Sequence, residues 1–273
     1  MGLDQYLDGW RPGVVEVEDG LSGAPSAAFA AALDQPGVKG GALPPLWHWF
    51  HFLEWPPGGD LGADGHPLAG HFLPPVPDRR RMIAGGRVSW RAPLQLGRRA
   101  TRVSALQGVE VKRGRTGEMV FVTVRHEVVQ GGVLCLVEEH DVVYRSGDPQ
   151  RRAFERPDRR VESDSPWQLR LHADSVLLFR MSALTANSHR IHYDESYARD
   201  VEGYPGVVVH GPLLALLMAE LPRRAGETLA SLRYRFKKPV FAGDEVLVTG
   251  GPDGGFAVVG AGIHAEAEAR FGL

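Results

Sequence analysis

The spacing of apolar residues changes along the chain, and each change predicts a different element. Ala27–Leu33 reads as a short helix, and a Pro/Gly-rich stretch follows it. The run Pro45-Leu46-Trp47-His48-Trp49-Phe50-His51-Phe52-Leu53 predicts a second, aromatic helix, since proline is tolerated where the first N–H would go unpaired anyway. From Pro56 to Pro77 glycine and proline recur, which suits neither helix nor strand. Loops of that length are uncommon in compact domains, and many serve as lids or binding loops. Strands are expected from Gly86 onward. Met119–His126 alternates, Gln130-Gly131-Gly132 forms a turn, and a second apolar run continues through Val137 to Tyr144, which together predict a hairpin.

Between Ser146 and Ser165 arginine, aspartate, glycine and proline replace apolar residues, the composition of a linker. Beyond it the pattern predicts a strand over Ser175–Ser182, a polar loop, a short helix near Asp194–Asp200 and a longer apolar helix from Pro212 to Leu221. Strands return at Leu229–Phe241 and Glu245–Gly250, and a last one runs from Phe256. A weak internal repeat links the halves. Trp90, Pro93, Leu94 and Gly97 recur as Phe236, Pro239, Val240 and Gly243 at one offset of 146 positions. Pro45-Leu46 before the aromatic helix also resembles Pro212-Leu213. The repeat favours a duplicated α+β unit, each copy wrapping an antiparallel sheet around one apolar helix. The boundaries expected are 1–147, a linker at 148–165, and 166–273.

Composition narrows the function classes. A net charge of -2 and a pI near 6.6 leave no global basic field for nucleic acid. The clusters Arg79-Arg80-Arg81, Arg98-Arg99 and Arg159-Arg160 read as solvated surface, with a phosphorylated ligand as the functional alternative. The single cysteine, Cys135, lies in an apolar run and admits no intrachain disulfide, so a reducing cytoplasm is expected. Neither a signal peptide nor a membrane-spanning apolar stretch is recognisable.

Polar chemistry concentrates in Ser182–Asp194, where Asn187, His189, Arg190, His192, Tyr193 and Asp194 crowd one loop. Histidine, tyrosine and aspartate together offer a base, an acid and hydrogen-bond donors. About twenty residues on, His210-Gly211-Pro212 opens a helix that is apolar almost all round. Glycine there lets a ligand approach the free N–H groups, where the helix dipole favours negative charge developing on a carbonyl oxygen. A plain core helix with a glycine entry has the same sequence. The spacing of His189 and His192 also admits a metal pair, but the sequence offers no further ligands for it.

The stretch Asn187-Ser188-His189-Arg190-Ile191-His192, with Ala198 after it, resembles the signature of MaoC-like type-2 enoyl-CoA hydratases and hydroxyacyl-thioester dehydratases. His210-Gly211 fits the start of that family's hot-dog helix. With Leu43–Trp49 and Phe72–Pro77 included, the chain more closely resembles a two-domain subgroup with a fatty-acid-synthase-like dehydratase N-terminal half. That subgroup includes mesaconyl-C4-CoA (3-methylfumaryl-CoA) and itaconyl-CoA hydratases. The resemblance implies a double hot-dog fold and a hydro-lyase acting on a short branched or dicarboxylic acyl-CoA. No cofactor is implied beyond the coenzyme A of the substrate, and a homodimer is the candidate assembly.

This chain departs from the signature at the family's aspartate, asparagine and proline positions, which are Asn187, His189 and Arg190 here. A neutral amide holds a water but takes no proton from it. The resemblance therefore implies His192 as base and acid, Asn187 as the group orienting the water, and the Gly211 N–H as the thioester oxygen's donor. His189, Arg190, Tyr193 and His210 are expected to line the substrate. Asp194 is an alternative partner for an imidazole. A fatty-acyl dehydratase, a hot-dog thioesterase and a non-catalytic acyl-CoA binder remain open beside the favoured reading. The first half, whose His48, His51, His66 and His71 match no such loop, is expected to enclose substrate without contributing catalytic groups.

Overall fold

The duplication inferred from the repeat is visible as strand order. The computed structural model describes residues 2–38, 40–114, 117–147, 154 and 160–272. In the first half β1 (Val15–Asp19), β2 (Arg79–Trp90), β3 (Ala100–Gly114), β4 (Gly117–Gln130) and β5 (Val133–Ser146) lie side by side in the order β1-β3-β4-β5-β2. In the second half β6 (Trp167–His172), β7 (Leu229–Phe236), β8 (Glu245–Gly250), β9 (Gly255–Gly260) and β10 (Gly262–Phe271) repeat that order as β6-β8-β9-β10-β7. Pairing of β2 with β7, from Gly85 opposite Arg235 to Ser89 opposite Ser231, joins the halves into one ten-stranded antiparallel sheet. The matched residues Trp90 and Phe236 end these two central strands. This is the α+β double hot-dog arrangement.

Of the three helices, α1 (Gly23–Ala32) packs on α2 (Ser175–Leu184), and α3 (Gly211–Ala225) lies across the strands of the second half. Every residue of α3 from Leu213 to Pro222 is buried, as its all-round apolarity requires. A polar clamp ties it to the first half. The Trp47 indole N–H donates to Glu220 at 3.0 Å, and Glu220 is in turn paired with Arg223. The hairpin turn falls at Gly131-Gly132, both with positive φ. No helix among the described residues is long and apolar enough to cross a membrane.

Several elements differ from expectation. The strand expected over Ser175–Ser182 is α2. The Asp174 carboxylate caps it by accepting from the Leu177 N–H at 2.8 Å. Its buried residues, Leu178, Met181 and Ser182, recur at helical spacing, which a continuous apolar run conceals. The aromatic helix expected over residues 45–53 is one 3-10 turn, Trp47–Phe50, bounded by Leu46 and Phe52 in left-handed backbone at φ 68° and 56°. The strand expected to reach Phe241 ends at Phe236, before Pro239. The outer strands β1 and β6 were not anticipated. Residues 148–153 and 155–159, most of the expected linker, lie outside the described residues.

Candidate active site

The polar loop leaves α2 through Ala186, whose φ of 50° is left-handed backbone that a non-glycine residue adopts only at a cost. Asn187 then closes an Asx turn, its side-chain oxygen accepting from the His189 N–H at 3.0 Å. That leaves the amide NH2 of Asn187 as the donor available to a ligand. A 3-10 turn, Arg190–His192, carries His192 inward to a buried position. The His192 Nδ1–H donates to the Val208 carbonyl at 2.7 Å, and since a carbonyl only accepts, the lone pair lies on Nε2. Burial lowers the His192 pKa to about 4, so the imidazole is neutral near pH 7.

His210, the residue before α3, stacks on His192 with ring centroids 3.8 Å apart. Its Nε2 lies 2.9 Å from the Ser182 hydroxyl, and burial holds its pKa well below normal. Next in sequence, Gly211 begins α3. Its N–H belongs to the first turn, whose donors have no intrahelical acceptor. A side chain at 211 would press on the Phe236 ring, 3.2 Å from an ideal Cβ.

Arg190 and Tyr193, expected to line the substrate, are engaged in holding the loop. The Arg190 guanidinium pairs with Asp194 at 2.6 Å, stacks over Tyr197, and donates to the Ala63 carbonyl at 3.0 Å. Tyr193 is exposed and its hydroxyl donates to the Ser188 carbonyl at 2.9 Å. Asp194, the alternative imidazole partner, instead accepts from Arg190, the Ser196 hydroxyl and the Tyr197 N–H. The Val208 carbonyl orients His192 in its place.

The sequence marked the long Pro/Gly loop as a candidate binding loop, but not which of its residues meet the polar loop. Asp64-Gly65-His66 docks directly on the polar loop: the Arg190 N–H donates to the Asp64 carbonyl at 2.8 Å, and the Ser188 hydroxyl donates to that of Gly65 at 2.6 Å. His66 lies against His189 with ring centroids 4.0 Å apart, and His189 is 5.6 Å from His192. Asp64, with its pKa lowered to about 2 although burial opposes that, holds the His66 Nδ1–H at 3.1 Å. Burial lowers the His66 pKa and takes that of His189 to about 2. The ligand atoms of Asp64, His66 and His189 lie within 4.8 Å of one another, a set able to hold a cation. The Asp64–His66 hydrogen bonds satisfy much of that set without one. The remaining first-half histidines lie elsewhere: His48 on the buried Glu138, His51 on Asp19, and His71 on the Gly13 carbonyl. The recurring Gly and Pro of this loop were the one sequence signal for it.

The docking depends on Gly65. Its φ is +84°, and a Cβ there would lie 1.9 Å from the Ser188 carbonyl oxygen. Gly65→Ala should therefore displace the 187–192 loop and lower turnover on the order of 100-fold, the scale of a misplaced reactive group. A steady-state assay beside a melting curve checks this, and full activity would show that the contact is dispensable.

The profile of the family described as hydroxyacyl-thioester dehydratase type 2 matches residues 46–242. A mesaconyl-C(4)-CoA hydratase of Chloroflexus aurantiacus is 39% identical, over 91% of this chain and 94% of that protein. The chain belongs to this dehydratase family. Membership makes it a hydro-lyase, and the match spans both halves. A mitochondrial hydroxyacyl-thioester dehydratase type 2 of Schizosaccharomyces pombe is 24% identical over 83% of this chain and 86% of its own. The MaoC-like dehydratase of Phytophthora capsici has the same fold, with a TM-score of 0.65 at 12% identity and full coverage of both chains.

Five buried or half-buried histidines should make this dehydratase acid-sensitive. His66, His126, His189, His192 and His210 all have pKa values lowered from 6.5. The unfolded chain therefore binds more protons below pH 6.5, and stability falls as pH drops from there toward the folded values. Melting temperature should decline between pH 7 and 5, with a smaller slope in His192→Asn. A flat profile would contradict the neutral assignments.

Proposed function

We propose that the protein adds water reversibly to the double bond of a short branched or dicarboxylic enoyl-CoA, such as mesaconyl-C4-CoA or itaconyl-CoA. The observation that carries this reading is the His192 imidazole, fixed by Val208 with Nε2 bare, beside the free N-terminus of α3. Likeness to the Chloroflexus hydratase over nearly the whole chain supports the substrate class. Water donates one proton to His192 Nε2 as its oxygen bonds to the β-carbon. The double-bond pair moves toward the thioester, whose oxygen gains negative charge opposite the Gly211 N–H. The imidazolium then returns a proton to the α-carbon and the enolate collapses to the saturated thioester. Asn187 donates from its amide NH2 to hold the water. Every atom of water ends in product, so the scheme needs no redox partner. A lone buried thiol favours the cytoplasm as the setting of the reaction.

Incubation of purified protein with mesaconyl-C4-CoA, itaconyl-CoA and crotonyl-CoA tests the reading. Loss of the conjugated thioester absorbance is expected, fastest with a carboxylated substrate. No loss with any of the three would refute it.

A further inference from the structure

Three consecutive arginines open β2, and two have evident structural employment. Arg79 donates to the carbonyls of Pro74 at 2.9 Å and Leu68 at 2.8 Å. Arg80 is paired with Glu202. Arg81 is half-buried, yet its guanidinium has no hydrogen-bond or ion-pair partner among the described residues.

Strand register shows which way Arg81 faces. It lies opposite Tyr144 on β5, as Ile83 lies opposite Val142, and β4 continues the two rows with Val120 and Val122. Directly paired antiparallel residues share a face. Tyr144, Val142, Val120 and Val122 are all buried, so this is the inner face of the sheet. Behind the larger effect of burial, the Arg81 charge further disfavours the imidazolium forms of His66 and His189. Arg81 thus belongs to the surroundings of the polar loop. Asp64, the carboxylate beside His66 and His189, is already committed to His66. A half-buried guanidinium without an ion-pair partner is available to an anion, and its planar fork matches a carboxylate.

We propose that Arg81 holds a free carboxylate on the acyl chain, so that the substrate is an enoyl-CoA whose acyl group is itself an acid. This rests on the hydratase reading above and selects the dicarboxylic branch of it. The same guanidinium chemistry would suit a phosphate of coenzyme A. The two sources separate cleanly, because every acyl-CoA carries the phosphates and only some carry the carboxylate.

The test compares kcat/KM on mesaconyl-C4-CoA and crotonyl-CoA for the wild type, Arg81→Met and Arg81→Lys, with melting curves of each. The wild type should favour the carboxylated thioester. Arg81→Met should lose at least about 30-fold on it, chiefly through KM, the scale of one partner lost from a buried charge pair. Its crotonyl-CoA activity should be unchanged. Arg81→Lys, which keeps the charge without the fork, should fall between them, and it carries the test should the methionine variant fail to fold. Equal losses on both thioesters would overturn the proposal in favour of the phosphates. Hydration of crotonyl-CoA alone by the wild type would overturn it while leaving the hydratase reading intact. Thiol release without hydration would remove both.

Discussion

His192→Ala should lose about 100- to 10,000-fold of turnover, the range that positioned acid–base groups contribute. The structure makes this the most exposed element of the mechanism. Its Nδ1–H is committed to Val208, so Nε2 alone can exchange the proton. With a pKa lowered to about 4 by burial, His192 keeps its lone pair through the neutral range. kcat/KM should accordingly fall only as pH drops toward that value. Asn187→Ala should be milder, because it removes a donor to the water and not the proton acceptor. Asn187→Asp can retain the bond from the His189 N–H, and its carboxylate would favour the imidazolium form of His192. Arg190 would do little to offset that, being paired with Asp194. The variant should stay active with the acid limb of its profile moved upward. Rate–pH profiles of the three enzymes decide this, and an active His192→Ala enzyme would sink the scheme.

Gly211→Val should cost about 100- to 1,000-fold, as loss of one oxyanion donor does. The cause is indirect. The added side chain meets the Phe236 ring first, and the ring and the start of α3 must separate. Gly211→Ala, with one carbon at 3.2 Å from that ring, should give a partial loss that graded ring displacement can absorb. Single-turnover rates with circular dichroism as a folding control test it. Wild-type rates in Gly211→Val would place the thioester oxygen elsewhere.

The parts legible in the sequence are those whose signal is local. The Gly131-Gly132 hairpin, the apolar helix after Gly211 and the repeat ending β2 and β7 each follow from turn chemistry or periodicity within a short window. The α2 helix was misread because Val176, Phe179 and their neighbours form an unbroken apolar run, which hides both the helical spacing of Leu178, Met181 and Ser182 and the Asp174 cap. Asn187, His189 and His192 were identified together because they lie on one loop. Asp64, His66 and Arg81 were not, since their relation to that loop arises only when β2 pairs with β7 and the first half folds over it. No spacing rule reports a contact made across 120 residues. The Val208 carbonyl and the Phe236 ring escaped for the same reason.

The central claim is that water is added across a double bond while the thioester survives. It is tested most directly by following conjugated-thioester absorbance and free thiol together during one incubation with mesaconyl-C4-CoA. The account predicts loss of the enone with no thiol released, abolished in His192→Ala. Thiol appearing in step with substrate loss would make the protein a thioesterase, and no change in either signal would leave it a binder.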